Sequence, residues 1–380
     1  MRGAERVERV QPSATLKFST LAKKLAKEGK NVIDMSVGEP DFKTPSHIIE
    51  AAVKAMNEGK VFYTPTRGIP ELLDAIAEKL REENKIDVTS KNIIVTTGAK
   101  FAIYAAISCL IDEGDEVILL DPSWVTYEAC VNLSGGKVVW VLHKENFEDA
   151  PIENYLTKKT KMIVLNSPNN PLGVVYPKSF LKKVRDLAVD HNLFVLSDEV
   201  YEKIIFEGEH VSLASFDGML ERTITVNGFS KTYSMTGWRL GYAAAPEWII
   251  ERIERIQSHS VSHPASFVQY AGVAALKSDQ SFVKKMVEEF KARKEIITSK
   301  FKELGIKFAP PKGAFYIFFD SERDSFKFCE EMLEKKYVAL TPGAAFGPSF
   351  KTWVRLSYAT SRKNIIEFLN RFEDFIKSSF

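Results

Sequence analysis

Lys231 is the only charged side chain between Arg222 and Arg239, and its neighbours Phe229, Tyr233 and Met235 are aromatic or apolar. Such surroundings disfavour the ammonium form and leave a neutral amine, which is a nucleophile. A carboxylate, Asp198, follows the apolar run LFVLS, and Tyr201 comes one helical turn later. Gly98-Ala99-Lys100 follows NIIVTT and opens an apolar helical stretch, the arrangement that turns free N–H groups into an anion site. Asn170 sits in the turn-rich NSPNNPLG, Trp124 follows Asp121-Pro122-Ser123, and Arg239 and Arg355 supply guanidinium groups. Together these residue types point to amine chemistry on an anionic ligand.

The elements that must position them are strands alternating with helices, which predicts an α/β fold around a mostly parallel sheet covered on both faces. From Lys91 onward the strand candidates are 92–97, 116–120, 137–141, 161–165, 193–197, 223–227 and 238–245, the last with Arg239 inside it. Gly98, Asn170, Asp198 and Lys231 each follow the carboxyl end of a strand, the edge where open sheets bind ligands. Residues 14–29 read as an amphipathic helix with Leu16, Leu21 and Leu25 on one face. Two long helices are expected at about 246–277 and 279–304. Beyond them GAFYIFFD, a helix near 324–335, YVAL, WVRLSYA and a last helix at 363–378 suggest a small α+β domain. Alternation in WVRLSYA places Arg355 with Trp353 and Ser357, so it can face a cleft. The expected division is an N-terminal segment, 1–40, packed on the small domain, a large domain, 41–278, and a small domain, 279–380.

The 380 residues are enough for two domains and a cleft between them. Lys+Arg 52 against Asp+Glu 50 leaves a formal charge of +2, which argues against a nucleic-acid partner. Cys109, Cys130 and Cys329 are odd in number and widely spaced, suggesting neither a disulfide framework nor a metal site. No apolar stretch is long enough for a membrane span, and the first ten residues carry charges where a signal peptide needs an apolar run, so a cytoplasmic protein is expected. No GxGxxG follows a strand, which removes the nicotinamide dehydrogenase reading.

A lysine, a strand-end aspartate, a helix-start anion site and an arginine match the needs of pyridoxal 5'-phosphate, whose phosphate, ring nitrogen and aldehyde must be held at once. Lys231 would join the aldehyde carbon and later move a proton, and Asp198 would pair with the ring N–H. Asn170 and Tyr201 would bond the ring hydroxyl, Trp124 would stack on the ring, and Gly98, Ala99 and Arg239 would take the phosphate.

GEPDF at 38–42, YTPTRG at 63–68, NSPNNPLG at 166–173, SDEVY at 197–201, SKTYSMTGWRLGY at 230–242 and VRLSYA at 354–359 resemble the class I aminotransferases, fold type I pyridoxal-phosphate enzymes. The resemblance covers almost the whole chain. It implies a large domain with a seven-stranded sheet and a homodimer whose sites lie between subunits. It also implies that Tyr63 reaches the neighbour's cofactor phosphate, with Ser230 as a further phosphate contact. Arg355 would bind the substrate α-carboxylate, with Gly38, Trp124 and Asn170 nearby. The implied reaction is ping-pong transfer of an amino group between an amino acid, aspartate or glutamate first, and a 2-oxo acid. Relatives acting on aspartate or prephenate add Lys100 as a reader of the distal carboxylate, with Ser13 and Thr15 completing the pocket. The runners-up are aromatic, prephenate or broad specificity, or β-elimination on the same scaffold.

Overall fold

A computed structural model describes residues 3–10, 12, 14–142 and 147–378, with nothing said of the side chains of residues 14, 15 and 148. Its centre is a seven-stranded sheet. The strands are β1 (Ile93–Thr96), β2 (Glu116–Leu120), β3 (Lys137–Val141), β4 (Thr160–Asn166), β5 (Phe194–Asp198), β6 (Thr223–Gly228) and β7 (Gly241–Ala244), in the spatial order β1-β7-β6-β5-β4-β2-β3. β7 runs antiparallel to both its neighbours, and the other pairings are parallel. Alternate residues of a strand face opposite layers. Val117 and Leu119 of β2 pack with Ile103 and Ile107 of the helix Ala99–Leu110, whereas Ile118 packs with Phe180 and Val184 of the helix Lys178–Asp190. Such two-sided burial is what uninterrupted apolar strands demand.

β7 crosses directly under the start of Ala99–Leu110. A Cβ on Gly241 would lie 2.4 Å from the Ala99 nitrogen and 2.6 Å from the Gly98 carbonyl carbon, so only glycine lets the helix start come this close to the sheet.

A second, antiparallel sheet of four strands follows the order Thr341–Pro342, Trp353–Ser357, Tyr316–Asp320, Phe308–Ala309. Its core is rich in phenylalanine, with Phe301 stacked on Phe372 at 5.2 Å between ring centres. Ile33–Asp34 pairs in parallel with Val338–Ala339, and Phe18 and Ala22 of the helix Ala14–Lys27 enter the same core. The N-terminal segment is thereby attached to this second sheet. Among the described residues no helix is long and apolar enough to cross a membrane.

Three expectations are corrected. The predicted helix 246–277 is two helices, Glu247–Ser258 and Ser266–Lys277, because Ser262 takes a left-handed φ of 61° and Pro264 has no N–H to continue the ladder. In Ala14–Lys27 the residues facing the core are Phe18 and Ala22, while Leu16 and Leu21 are exposed. Arg239 is not inside a strand. It sits at φ 55° in the turn before β7, a conformation that redirects the chain and leaves its side chain exposed.

Candidate active site

The sheet delivers the predicted residues to one cavity of about 400 Å³, whose lining includes Gly38, Ala99, Lys100, Trp124, Asn170, Asp198, Tyr201, Ser230, Lys231, Arg239 and Arg355. β6 ends at Gly228, and the short helix Phe229–Thr232 carries Ser230 and Lys231 into it. β5 ends on Asp198, and β4 ends on Asn166, whose side chain accepts from the Asn170 N–H at 2.8 Å and donates to the Asp198 carbonyl at 3.1 Å. That pair of bonds fixes the loop carrying Asn170 against the strand end carrying Asp198.

Burial sets the electrostatics. The Lys231 amine, half-buried at the floor, donates to the Gly38 carbonyl. Desolvation depresses it to about 8, with Arg355 and Arg239 acting the same way and Glu39 and Asp198 opposing. Burial raises the Asp198 carboxyl to about 6, against the hydrogen bonds it accepts from the Tyr127 hydroxyl at 2.5 Å and the Val200 N–H at 3.3 Å. Both groups gain from a partner that stabilises an anion at Asp198.

Arg355 is 2 % exposed. Its guanidinium donates to Asn170 Oδ1 at 2.9 Å, to the Ser36 carbonyl and, at 3.3 Å, to Thr341 Oγ1. Tyr316 and Phe346 face it at 4.6 and 5.0 Å from ring centre to guanidinium carbon. Its Nε has no hydrogen-bond partner, and no carboxylate pairs with it among the described residues. A buried cation held by neutral oxygens has the chemistry to receive a carboxylate.

At the other end of the cavity, Gly98 at φ 85° opens Ala99–Leu110, and a Cβ there would lie 2.5 Å from Arg239 Nη2. Among the described residues Arg239 donates only to the backbone carbonyls of Thr236 and Thr97. A helix start, the adjacent Ser230 and an arginine without a carboxylate partner among the described residues form a donor set suited to a phosphate. Lys100 Nζ lies 5.1 Å from the Trp124 ring centre at the cavity rim. Burial lowers its pKa, and Arg239 adds to that. Tyr63 is outside this cavity, 92 % exposed and edge-on to His263. Ser13 lies outside the described residues, and for Thr15 only its place in the first turn of Ala14–Lys27 is described.

Sequence reasoning missed three residues. Tyr127 bonds Asp198, Tyr316 shares a 2.7 Å hydrogen bond between hydroxyls with Tyr201, and Asn166 ties Asn170 to β5. Tyr127 is three residues after Trp124 on one helix, a spacing that would have flagged it, whereas Tyr316 arrives from the second sheet with no local signal.

The family model of class I and II aminotransferases matches residues 30–372. The chain belongs to this family. It is 42% identical over 380 residues to the aspartate aminotransferase of Thermotoga maritima, covering 99% of both chains. It is also 42% identical to the aspartate/prephenate aminotransferase of Thermus thermophilus, covering 98% of each. The solved aspartate aminotransferase from Thermus thermophilus with maleate superposes with a TM-score of 0.94 at 40% identity, covering 98% of this chain and 99% of that one. The chain is thus an aspartate-aminotransferase-like transaminase, in a family that uses pyridoxal phosphate. The donor sets of the cavity fit that group: a phosphate cradle at Gly98-Ala99 and Arg239, a carboxylate for the ring nitrogen at Asp198, and an amine at Lys231.

The depressed Lys231 pKa is directly measurable. In protein free of cofactor, Lys231 should be modified by an amine-selective reagent with a midpoint near 8, whereas an ordinary lysine stays protonated to about 10.4. Peptide mass mapping across a pH series reads this out. Titration of Lys231 together with the bulk lysines would refute the neutral-amine assignment.

Proposed function

We propose that the protein binds pyridoxal 5'-phosphate on Lys231 and transfers an amino group between aspartate or glutamate and a 2-oxo acid by a ping-pong mechanism. The observation that carries this reading is the pairing, in one cavity, of the desolvated Lys231 amine beside Asp198 with the buried Arg355 guanidinium whose Nε lacks a partner. The cofactor supplies an aldehyde carbon that bonds to amines and a cationic ring that accepts an electron pair from the substrate carbon. Asp198 holds the ring N–H as an anion, so the ring stays cationic. Arg239, Ser230 and the Gly98-Ala99 helix start hold the phosphate, Asn170 and Tyr201 bond the ring hydroxyl, and Trp124 covers the ring. Arg355 takes the substrate α-carboxylate beside Gly38 and Asn170. Lys231 Nζ, neutral in part near pH 8, would take the proton of the substrate α-carbon and hold it as the ammonium.

Lys100 is the reader of the distal carboxylate. It occupies the first turn of a helix, where the macrodipole disfavours a cation, and an anionic partner relieves that conflict. The maleate named with the Thermus thermophilus structure is a dicarboxylate and supports this side of the reading. Residues 256–270 contain no arginine, so a second guanidinium from that stretch is not the selector. The Trp124 ring beside Lys100 favours a second reading, in which aromatic or prephenate substrates are also accepted. β-Elimination remains the alternative chemistry, and a strict requirement for a 2-oxo acid separates it from transfer.

The protein acts as a homodimer in the cytoplasm, with the exposed Tyr63 reaching the neighbour's phosphate. The large domain spans 41–278 and the small one 279–380, with the first 40 residues packed on the latter, a division supported by the two separate sheets.

Three experiments test the reading. Arg355→Lys should lower kcat/KM by roughly 10- to 100-fold for every amino acid, the worth of one charge-assisted hydrogen bond; a loss confined to one substrate would make Arg355 a side-chain selector. Lys100→Ala should reduce efficiency with aspartate and glutamate by about two- to fivefold, the scale of a solvated charge pair, and spare alanine and phenylalanine. Equal losses across all four would remove Lys100 from selection. Mixing inactive Tyr63→Phe and Lys231→Ala variants should restore part of the activity by rebuilding one intact site. No recovery, with subunit exchange demonstrated, would refute the shared site.

A further inference from the structure

Behind the cavity lies a buried polar network that the proposed reaction does not use. Asp198 and Tyr201 face the cavity, and their chain neighbours Glu199 and Glu202, 1 % and 9 % exposed, turn away from it. Glu199 Oε2 accepts from Ser212 Oγ at 2.6 Å and lies 2.8 Å from His210 Nε2, while Glu199 Oε1 accepts from Ser197 Oγ at 2.9 Å. Glu202 Oε2 accepts from Asn84 Nδ2 at 2.7 Å and lies 4.0 Å from His210 Nε2. Lys79, from the helix Pro70–Glu82, donates to Glu202 and to Asn84 Oδ1. The Glu199 N–H also donates to the Val226 carbonyl at 2.8 Å, which ties the network to β6, the strand that delivers Lys231.

Glu199, Glu202 and His210 bring their ligand atoms within 4.8 Å of one another, the geometry of a cation site. The cation is already supplied, because the Lys79 ammonium sits on Glu202. Two buried carboxylates facing one ammonium leave one negative charge uncompensated, and His210 is the group placed to balance it.

We propose that His210 is a positioning residue for the reaction: as an imidazolium it bonds Glu199 through Nε2 with Glu202 4.0 Å from the same atom, its Nδ1 being without a hydrogen-bond partner, holds the turn that presents Asp198 and Tyr201, and neutralises the charge behind Asp198. The charged groups facing it are Glu199 and Glu202 from the turn after β5 and Lys79 from Pro70–Glu82. Glu83, at the end of that helix, touches Lys79 at 3.8 Å and is paired with Lys203 at 2.8 Å. Burial by itself would lower the imidazole pKa, but Glu199 and then Glu202 outweigh it and the net direction is upward. Glu199 raises the Asp198 pKa, so the charge of this network is felt at Asp198. Loss of the imidazolium adds a negative charge there, which disfavours the Asp198 anion and favours protonation at Lys231.

The inference rests on the proposed cofactor reading only for its second measurement. First, in wild-type protein stripped of cofactor, the pH profile of imidazole C2 hydrogen exchange, read by peptide mass mapping, should place His210 above the ordinary histidine value of about 6.5. A His210 that titrates below it overturns the proposal whether or not the protein is a pyridoxal-phosphate enzyme. Second, in the holoenzyme, His210→Gln should move the titration midpoint of the visible cofactor absorbance upward by about half a unit to one unit, and His210→Lys, which keeps the charge, should return it towards wild type. An unmoved midpoint in a folded, cofactor-loaded His210→Gln protein, or equal shifts in both variants, would show that His210 only fills space.

Discussion

Cations crowd one cavity. Lys231, Arg239, Arg355 and Lys100 line it, and the carboxylates acting on Lys231 there are Asp198 and Glu39. Like charges at this density destabilise one another, and the protein tolerates them in two ways. Lys231, depressed to about 8, sheds part of its charge, burial lowers the Lys100 pKa, and the two guanidinium groups, which stay charged, rest on backbone and amide oxygens. The arrangement is stable enough to fold and is completed by anions. A phosphate at the Gly98 end and a carboxylate at the Arg355 end would supply the counter-charge that these cations lack.

Holding these cations in place is the task of the two sheets. The large sheet fixes Asp198, Asn170 and Lys231 at adjacent strand ends, so their spacing follows the strand separation and is rigid. The second sheet carries Arg355 and Tyr316 on paired strands, Tyr316 opposite Ser357 and Phe318 opposite Arg355. Arg355 with Asn170 and Tyr316 with Tyr201 join the two sets by polar contacts, and Tyr201 and Ile204 also pack into the core of the second sheet. The steric limit at Gly38, where a Cβ would lie 1.9 Å from the Tyr316 hydroxyl, makes the N-terminal loop a close-fitting wedge between them.

Residues that follow a strand end were legible in the sequence, because an apolar run terminating in a polar residue is a local pattern and strand ends in a parallel sheet share an edge. Gly98, Asn170, Asp198 and Lys231 fall in this class. What failed depended on distant parts of the chain. Arg239 was placed in a strand because WRLGYAAA continues an apolar pattern, but the close approach of Gly241 to Ala99 forces the turn just before it. The core face of Ala14–Lys27 was assigned by its leucines, whereas the helix turns Phe18 and Ala22 inward against the second sheet. Tyr127, Tyr316 and the histidine at 210 gain meaning only from partners far along the chain, and no periodicity in a single sequence carries that information.

One short stretch, Ser36 to Gly38, touches both Arg355 and Lys231. Its Ser36 carbonyl accepts from Arg355, and its Gly38 carbonyl accepts from Lys231. A backbone carbonyl is a compromise partner for a buried cation. It satisfies the donor without neutralising its charge, so a carboxylate, which would do both, would be the better partner. The same holds at Lys231, whose bond to Gly38 is worth most when the amine is protonated and weakens as the amine becomes the neutral nucleophile. The segment is therefore held most tightly when the lysine is idle. It is tethered on one side by Asp34, which accepts from Ser36 and Ser19, and on the other by Asp41, paired with Arg293 at 2.7 Å. Its ends are anchored while its middle rests on Arg355 and Lys231, so a ligand that took up these two groups would also release the segment's middle.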